Sequence, residues 1–157
     1  MMHPEHLRTH VIKPTLKHLG LWSEAAENLL LLTAAAESHL GRWLVQHPIG
    51  PARGIYQIET ATEFDVHTNF LAFRPELKAK IAELTFACDV PDQTVGNLFY
   101  STAIARLIYR RAPPPLPAPT DWAGLAAYHK RHFNTHLGKA TVEKTLQLGR
   151  ELGVIKD

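Results

Sequence analysis

Apolar residues recur at helical spacing in nearly every segment of this 157-residue chain. The longest such segment begins at Asp92 or Thr94, either of which can cap a helix, and ends near Arg111. Its predicted buried stripe is Val95, Leu98, Phe99, Ala103, Leu107 and Ile108. The only short stretch with any strand character is 54–58. The sequence therefore predicts an all-α fold, or an α fold with one minor β-hairpin.

Local capping residues place the other predicted helices. Ser23 is a good N-cap for a helix from residue 25 to about 40, and the acidic Glu24 and Glu27 suit its dipole. Pro14 should kink or divide a first helix over 5–19. The remaining predicted helices are 60–73, started by a capping box from Thr60 to Glu63, 76–87 after Pro75, 121–133 capped by Thr120, and 140–152.

Composition indicates one globular domain over residues 1–157. With 45% hydrophobic and 20% charged residues, the chain has enough apolar side chains for a true core. The Pro-rich segment 113–119 must be extended, and we expect it to form a strap across the domain that leads to the C-terminal helices. A net charge of +2 gives no reason to expect a nucleic-acid partner.

The sequence also disfavours two classes of protein, those stabilised by disulfides and those that are secreted or span a membrane. The single cysteine, Cys88, excludes an intramolecular disulfide and is expected to be a small core residue. The N-terminal residues are polar, so no signal peptide is expected, and no apolar run is long enough to span a bilayer.

Glu37 is the residue whose position most needs a chemical explanation. On a helix it shares a face with Leu30, Thr33 and Ala34, so its carboxylate should be partly desolvated. Desolvation disfavours the charged form, as a general acid near neutral pH requires. The alternative is that Glu37 merely ends a helix in solvent. The loop that follows favours the functional interpretation, because its glycines allow close approach to a ligand and 56–57 offer an aromatic ring and an amide.

Several short segments around this loop carry a family resemblance. They are Glu37-Ser38, Gly54-Ile55-Tyr56-Gln57, Ala61-Thr62, Asn97-Leu98 and Ala127-Tyr128. In order and spacing this set resembles the soluble lytic transglycosylase pattern of the lysozyme-like superfamily, most of all the compact versions that phages encode. Two departures stand out. Thr60 replaces the family's proline, and His129 and Lys130 follow Tyr128 where the family has asparagine.

The resemblance implies a cleft for alternating N-acetylmuramic acid and N-acetylglucosamine, and no cofactor. Glu37 would be the catalytic acid and then the base, giving a 1,6-anhydro product with help from the substrate's N-acetyl group. Ser38, Gln57, Asn97 and Tyr128 would position the sugar or Glu37, and Tyr56 would line the cleft.

A muramidase that releases reducing ends is the second choice, and it needs a second carboxylate. No Asp or Glu occurs between Ser38 and Ile58. Glu63 is interpreted as a helix cap and Asp65 as a surface residue, while Glu59 stays undecided.

Histidines and tryptophans offer weaker candidates. His3, His6 and His10 lie on one terminal helix without a second ligand set, and His129, His132 and His136 are interpreted as a solvated face, so no metal site is predicted. Among the three tryptophans, Trp43 is the best candidate for a sugar-stacking platform because it lies near Glu37 in sequence.

A second hypothesis comes from a different class of protein. The chain could be a virion structural protein that uses a lysozyme-like fold, with other virion proteins as partners in place of peptidoglycan. Accordingly, the expected location is either the host cytoplasm during phage production or the virion. Under the enzyme hypothesis the strap brings Tyr128 close to Glu37.

Overall fold

The computed structural model describes residues 1–87, 92–134 and 139–156, and most of them are helical. Its α-helices are α1 (Pro4–Leu7), α2 (Lys13–Leu19), α3 (Glu24–Ser38), α4 (Thr60–Asn69), α5 (Pro75–Leu84), α6 (Gln93–Gly96), α7 (Leu98–Arg110), α8 (Trp122–His129) and α9 (Val142–Glu151). Short π-helical segments cover Arg8–Ile12 and Lys130–Asn134, and a 3-10 turn covers Leu71–Phe73. Within the described residues, the one sheet pairs β1 (Ala52–Arg53) with β2 (Ile58–Glu59). The predicted mostly helical fold class is confirmed.

Helix α3 lies at the centre of the core. All residues from Ala25 to Ala35 are buried, because α7, α8, α9 and the first π-helical segment pack around it. A helix that is buried on every face needs neighbours on all sides. Ser23 caps it as predicted, with its hydroxyl accepting from the Ala26 N–H at 3.0 Å. The helix ends where His39 adopts a left-handed conformation, with φ of 49°.

The first helix is not broken at Pro14 but is locally rewound. Helices α1 and α2 run on through the π-helical segment Arg8–Ile12, and the N–H of Lys13 bonds to the carbonyl of Arg8. Proline has no N–H to offer its own helix. The helix was expected to kink or divide at Pro14, and it does not divide there because a wider turn keeps the chain helical.

Most of the short stretch 54–58 is the turn of a hairpin, since 54–57 form the turn and Ile58 begins β2. β1 and β2 are antiparallel, with Ala52 opposite Glu59 and Arg53 opposite Ile58. Gly54 turns the chain with φ of +77°, and a Cβ there would lie 2.0 Å from the carbonyl oxygen of Thr94. Only glycine fits this position, because both the backbone conformation and the close approach exclude a side chain.

The proline segment leads back over α3, and its two ends are fastened by side chains. Asn28 on α3 donates to the carbonyl of Pro119 at 2.9 Å, and the hydroxyl of Tyr128 donates to the carbonyl of Pro114 at 2.8 Å. Helices α8 and α9 then pack on α3 of the same chain. The C-terminal helices therefore complete the core around α3.

Two predicted caps are wrong. Helix α4 begins at Thr60, but its N-cap position is Glu59 and no side chain caps it. Glu63 instead accepts a hydrogen bond from the hydroxyl of Tyr100. Helix α8 is capped by Asp121 rather than Thr120, through the Gly124 N–H at 2.9 Å.

Two further expectations from the sequence concern Cys88 and membrane-spanning helices. Cys88 lies outside the described residues, so its predicted place in the core is untested. Within the described ranges, none of the helices combines the length and apolar character needed to cross a membrane.

Candidate functional site

An open groove of about 1000 Å³ runs past the C-terminal end of α3. The hairpin and the start of α4 form one wall, and residues of α9 and of the segment after α8 form the other. Glu37, in the last turn of α3, lines this groove with 15% of its side chain exposed. The carboxyl group is therefore largely enclosed yet still reachable from the groove, which is the position expected for a general acid.

Two side chains hold the same oxygen of Glu37. The amide of Asn134 donates to Oε1 at 3.2 Å. Nε2 of His129 lies 3.2 Å from the same atom, within ion-pair distance. The His129 side chain is 0% exposed, and Nε2 makes no hydrogen bond of good geometry to any described residue. Nε2 of His129 can lie 3.2 Å from Oε1 of Glu37 without forming a hydrogen bond, because an N–H on Nε2 would not point at Oε1.

His129 is tied to α3 by its other ring nitrogen. Nδ1 lies 3.1 Å from the hydroxyl of Tyr109, which lies 2.7 Å from Oγ1 of Thr33. The hydroxyl of Thr33 in turn donates to the carbonyl of Leu29 at 2.7 Å. Burial raises the pKa of Tyr109 well above its ordinary value, and the charge of Glu37 raises it further, against the hydrogen bond with Thr33 that lowers it. Tyr109 therefore stays a neutral link in a buried polar chain.

Two further carboxylates line the groove. Glu59, at the end of β2, is exposed. Asp65 hydrogen-bonds Asn69 and lies 2.6 Å from a guanidinium nitrogen of Arg111. These contacts, with Asn69 first, hold the pKa of Asp65 below its ordinary value, so it is an ionised group rather than an acid. Glu63 is not among the groove residues.

Ser38 does not face the groove. It is fully buried, and its hydroxyl donates to the carbonyl of Ile55 at 2.6 Å while accepting from the Gly41 N–H at 2.8 Å. Ser38 was predicted to position either the sugar or Glu37, and its complete burial leaves only the second role. Its role is to fasten the hairpin to the end of α3, and in this way it positions the helix turn that carries Glu37.

Tyr56 and Asn97 are also internal. Tyr56 is fully buried, with its hydroxyl 2.9 Å from Oγ1 of Thr102, so it does not line the cleft as predicted. Burial raises its pKa far above the ordinary value. Asn97 caps α7 by accepting from the Tyr100 N–H at 3.0 Å, and its amide donates to the carbonyl of Leu84. Both residues act on the fold, and neither contacts the groove.

Gln57 lines the groove as expected, although its amide donates to the carbonyl of Gly54 at 2.8 Å. Tyr128 is buried and gives its hydroxyl hydrogen to the strap. The side chain that contacts Glu37 is that of the next residue, His129. The reason is the helical rotation of about 100° per residue, which turns neighbours in sequence to different faces. The expected closeness of Tyr128 to Glu37 stays a prediction.

His129 and Asn134 were missed by the sequence analysis. His129 was assigned to a solvated face with His132, whereas it is completely buried and His132 packs on the ring of Tyr128 at 4.4 Å. His136 lies outside the described residues. A signal for Asn134 was present, because Phe133-Asn134 has the aromatic-asparagine order that the resembled pattern requires and that Ala127-Tyr128 lacks.

Trp43 lines the groove and is half-buried, with its ring 4.7 Å from that of His39. Trp22 lies elsewhere and donates to the carboxylate of Glu27, and Trp122 packs against the core. In the part of the chain that the structure describes, no cluster of three or more His, Cys, Asp or Glu side chains could hold a metal ion.

Comparisons of the chain with protein-family models, with curated proteins and with solved structures find no match.

Proposed function

We propose that the chain is a peptidoglycan-cleaving lytic transglycosylase of lysozyme-like type, with Glu37 as the single catalytic acid and base. The observation that carries the proposal is the setting of Glu37, a mostly enclosed carboxyl on a groove wall at the end of the core helix. The groove has a volume of about 1000 Å³, and Trp43 and Gln57 in its lining offer a ring and an amide to a sugar. The expected partner is the bacterial cell wall, with no cofactor, nucleic acid or membrane required.

The groove also bears on the choice between the two product types. A hydrolase with two carboxylates needs a partner about 5–9.5 Å from the acid. Glu59 and Asp65 share the groove with Glu37, but Asp65 is committed to Arg111 and Asn69. Glu59 is therefore the carboxylate that a muramidase mechanism would use. Transglycosylation needs neither, and it is the primary proposal.

The test is clearing of a cell-wall suspension by purified protein and by three glutamate variants. Glu37→Gln should lower the rate by at least about 100-fold, because the amide has no proton to give to the glycosidic oxygen. Glu24→Gln is the matched control, since Glu24 is exposed at the other end of α3 and should clear at the original rate. Clearing that survives Glu37→Gln would remove Glu37 from the mechanism.

Product analysis and Glu59→Gln decide the reaction type. Anhydro ends and a Glu59→Gln variant of normal rate are expected for the transglycosylase. Reducing ends together with an inactive Glu59→Gln variant would make the protein a muramidase.

A virion structural protein with little or no activity is the second candidate. One observation favours it. The side chains of Ser38, Asn97 and Tyr128 all donate hydrogen bonds to backbone carbonyls inside the fold, so these groups are not available to a sugar. Purified particles that contain the chain at many copies and do not clear cell wall would support this candidate. Chain found only in the cytoplasm of infected cells, with clearing activity, would support a free lysis enzyme.

A further inference from the structure

The least explained group near the groove is Nε2 of His129, a buried ring nitrogen 3.2 Å from Oε1 of Glu37. We infer that His129 is a positioning residue for Glu37, which engages Oε1 and leaves Oε2 as the oxygen that exchanges a proton with substrate. The inference rests on the proposed function of Glu37. It adds a residue type that the resembled pattern does not contain at this place, since that pattern has asparagine after its tyrosine.

The tautomer of His129 follows from counting donors along the buried chain. The carbonyl of Leu29 can only accept, so the single hydroxyl hydrogen of Thr33 is directed to it. The hydroxyl of Tyr109 must then donate to Oγ1 of Thr33 at 2.7 Å. The oxygen of Tyr109 is left as an acceptor for Nδ1 of His129 at 3.1 Å. His129 therefore carries a hydrogen on Nδ1.

This assignment decides what faces Glu37. With Nδ1 protonated, a neutral ring presents only a lone pair at Nε2, and an ionised carboxylate also presents only lone pairs. Two acceptors 3.2 Å apart in a buried place repel each other, so one proton belongs on the line between Nε2 and Oε1. With this proton on Nε2 the ring donates to Oε1, and Oε2 is left to carry the proton of the acid form. Because Nε2 and Oε1 are close but not aligned for a hydrogen bond, we expect this contact to tighten when substrate fills the groove.

Asn134 reinforces the same asymmetry. Its amide also donates to Oε1 at 3.2 Å, whereas Oε2 receives no hydrogen bond from any described residue. When Oε1 is held by two side chains, the carboxyl group cannot rotate, and the direction in which Oε2 points is fixed. Oε2 is thereby the atom available to the glycosidic oxygen.

The proposed reaction uses Oε2 twice and leaves no net proton change. The acid form carries a proton on Oε2 in addition to the one that His129 donates to Oε1. In the first step the Oε2–H bond breaks, an O–H bond forms on the leaving oxygen, and the C1–O bond breaks, which leaves a positive charge on C1 until the second step. In the second step the C6 hydroxyl loses its hydrogen to Oε2, and its oxygen bonds to C1. Between these steps the carboxylate charge is stabilised at Oε1 by His129 and Asn134, so the positioning residues act without being consumed.

The first test measures the ring nitrogens of His129 directly by NMR of protein labelled with 15N-histidine. His129→Gln identifies the signals, and Nδ1 is expected to be protonated. Glu37→Gln should shift the Nε2 signal, and Tyr109→Phe should shift the Nδ1 signal. A bare Nδ1, or an Nε2 signal that does not respond to Glu37→Gln, would overturn the inference. This readout does not depend on enzymatic activity, so it stands even if the proposed function fails.

The second test separates positioning from stability by steady-state kinetics on soluble glycan oligomers. His129→Gln should lower kcat by about 100-fold, the cost of a misplaced catalytic group, with KM changed less than about twofold. His67→Gln is the matched control, because His67 makes a similar contact to the hydroxyl of Tyr100 at 2.8 Å but lies outside the groove. Its kcat should be unchanged.

Tyr109→Phe covers the case in which His129→Gln does not fold. It keeps the imidazole and removes the acceptor of Nδ1, so kcat should fall while the folded fraction stays high. A normal kcat in folded His129→Gln or Tyr109→Phe, or an equal loss in His67→Gln, would refute the positioning role. A wild-type protein without any activity, but with the expected NMR responses, would refute only the proposed function.

Discussion

Replacing Ser38 by alanine tests whether one hydroxyl fastens the hairpin to the helix that carries Glu37. Oγ of Ser38 donates to the carbonyl of Ile55 at 2.6 Å and accepts from the Gly41 N–H at 2.8 Å. Ser38 and Ile55 are both fully buried, so water cannot replace the lost bond to the carbonyl. Ser38→Ala therefore leaves two backbone groups without this partner.

The magnitude follows from those two groups. A buried polar group left without a partner costs about 1–3 kcal/mol, and we place the carbonyl of Ile55 in this range. The N–H of Gly41 should cost about 1 kcal/mol because Gly41 is only half-buried. The expected loss in the free energy of unfolding is thus about 2–4 kcal/mol. For a chain of this size it corresponds to a fall in Tm of about 4–16 °C.

Ser101→Ala is the matched control. Ser101 is equally buried, but its hydroxyl makes only a long bond of 3.3 Å to the carbonyl of Leu98 in its own helix. Its removal should cost less than about 1 kcal/mol. The measurement is urea unfolding followed by circular dichroism, with equal m values for both variants. Equal midpoints for Ser38→Ala and Ser101→Ala would refute the claim that the hairpin depends on this hydroxyl.

Three further predictions follow from the same structure. Gly54→Ala should destabilise the fold by more than about 3 kcal/mol in urea unfolding, because its Cβ would meet the carbonyl of Thr94 and its φ is +77°, and a loss below about 1 kcal/mol would contradict this. Tyr56→Phe should cost about 1 kcal/mol through its lost contact with Thr102 but leave KM on soluble glycans unchanged, since a raised KM would return Tyr56 to the groove. Raised pKa values in all four tyrosines mean that the folded protein keeps protons that the unfolded chain releases near pH 10, so stability should fall as pH rises above about 10. Tyrosinate absorbance during alkaline titration should therefore rise only together with unfolding, and a rise at pH 10 in the folded protein would contradict the burial argument.

The helices were predictable because their causes are local. Ser23 and the apolar run after it define α3. The helix predicted from Asp92 or Thr94 to Arg111 is divided at Asn97, which caps α7, and Phe99 of its predicted buried stripe is exposed. Gly54 was interpreted as a residue that lets a ligand approach, whereas the chain that approaches it closely is the backbone of Thr94. Helix caps were less predictable. Glu63 was expected to complete a capping box with Thr60, but its carboxylate accepts a hydrogen bond from the hydroxyl of Tyr100, which is distant in sequence. Local propensity cannot foresee a partner that only the fold supplies.

The sequence predicted Glu37, Gln57 and Trp43 of the candidate site but not the side chains that contact the Glu37 carboxyl group. Glu37 was identified because a lone carboxylate on an apolar helix face is unusual within the sequence itself. His129 stands beside Lys130 and Arg131, and by its neighbours it belongs on a solvated surface. Only the packing of α8 against α3 buries its ring and places Nε2 at 3.2 Å from Glu37, and only the turn after it brings Asn134 to the same oxygen. The sequence determined which residue could carry the chemistry, because that depends on residue type and helical phase. The tertiary structure decided which groups hold it, because contacts between residues about 90 positions apart depend on how the helices pack.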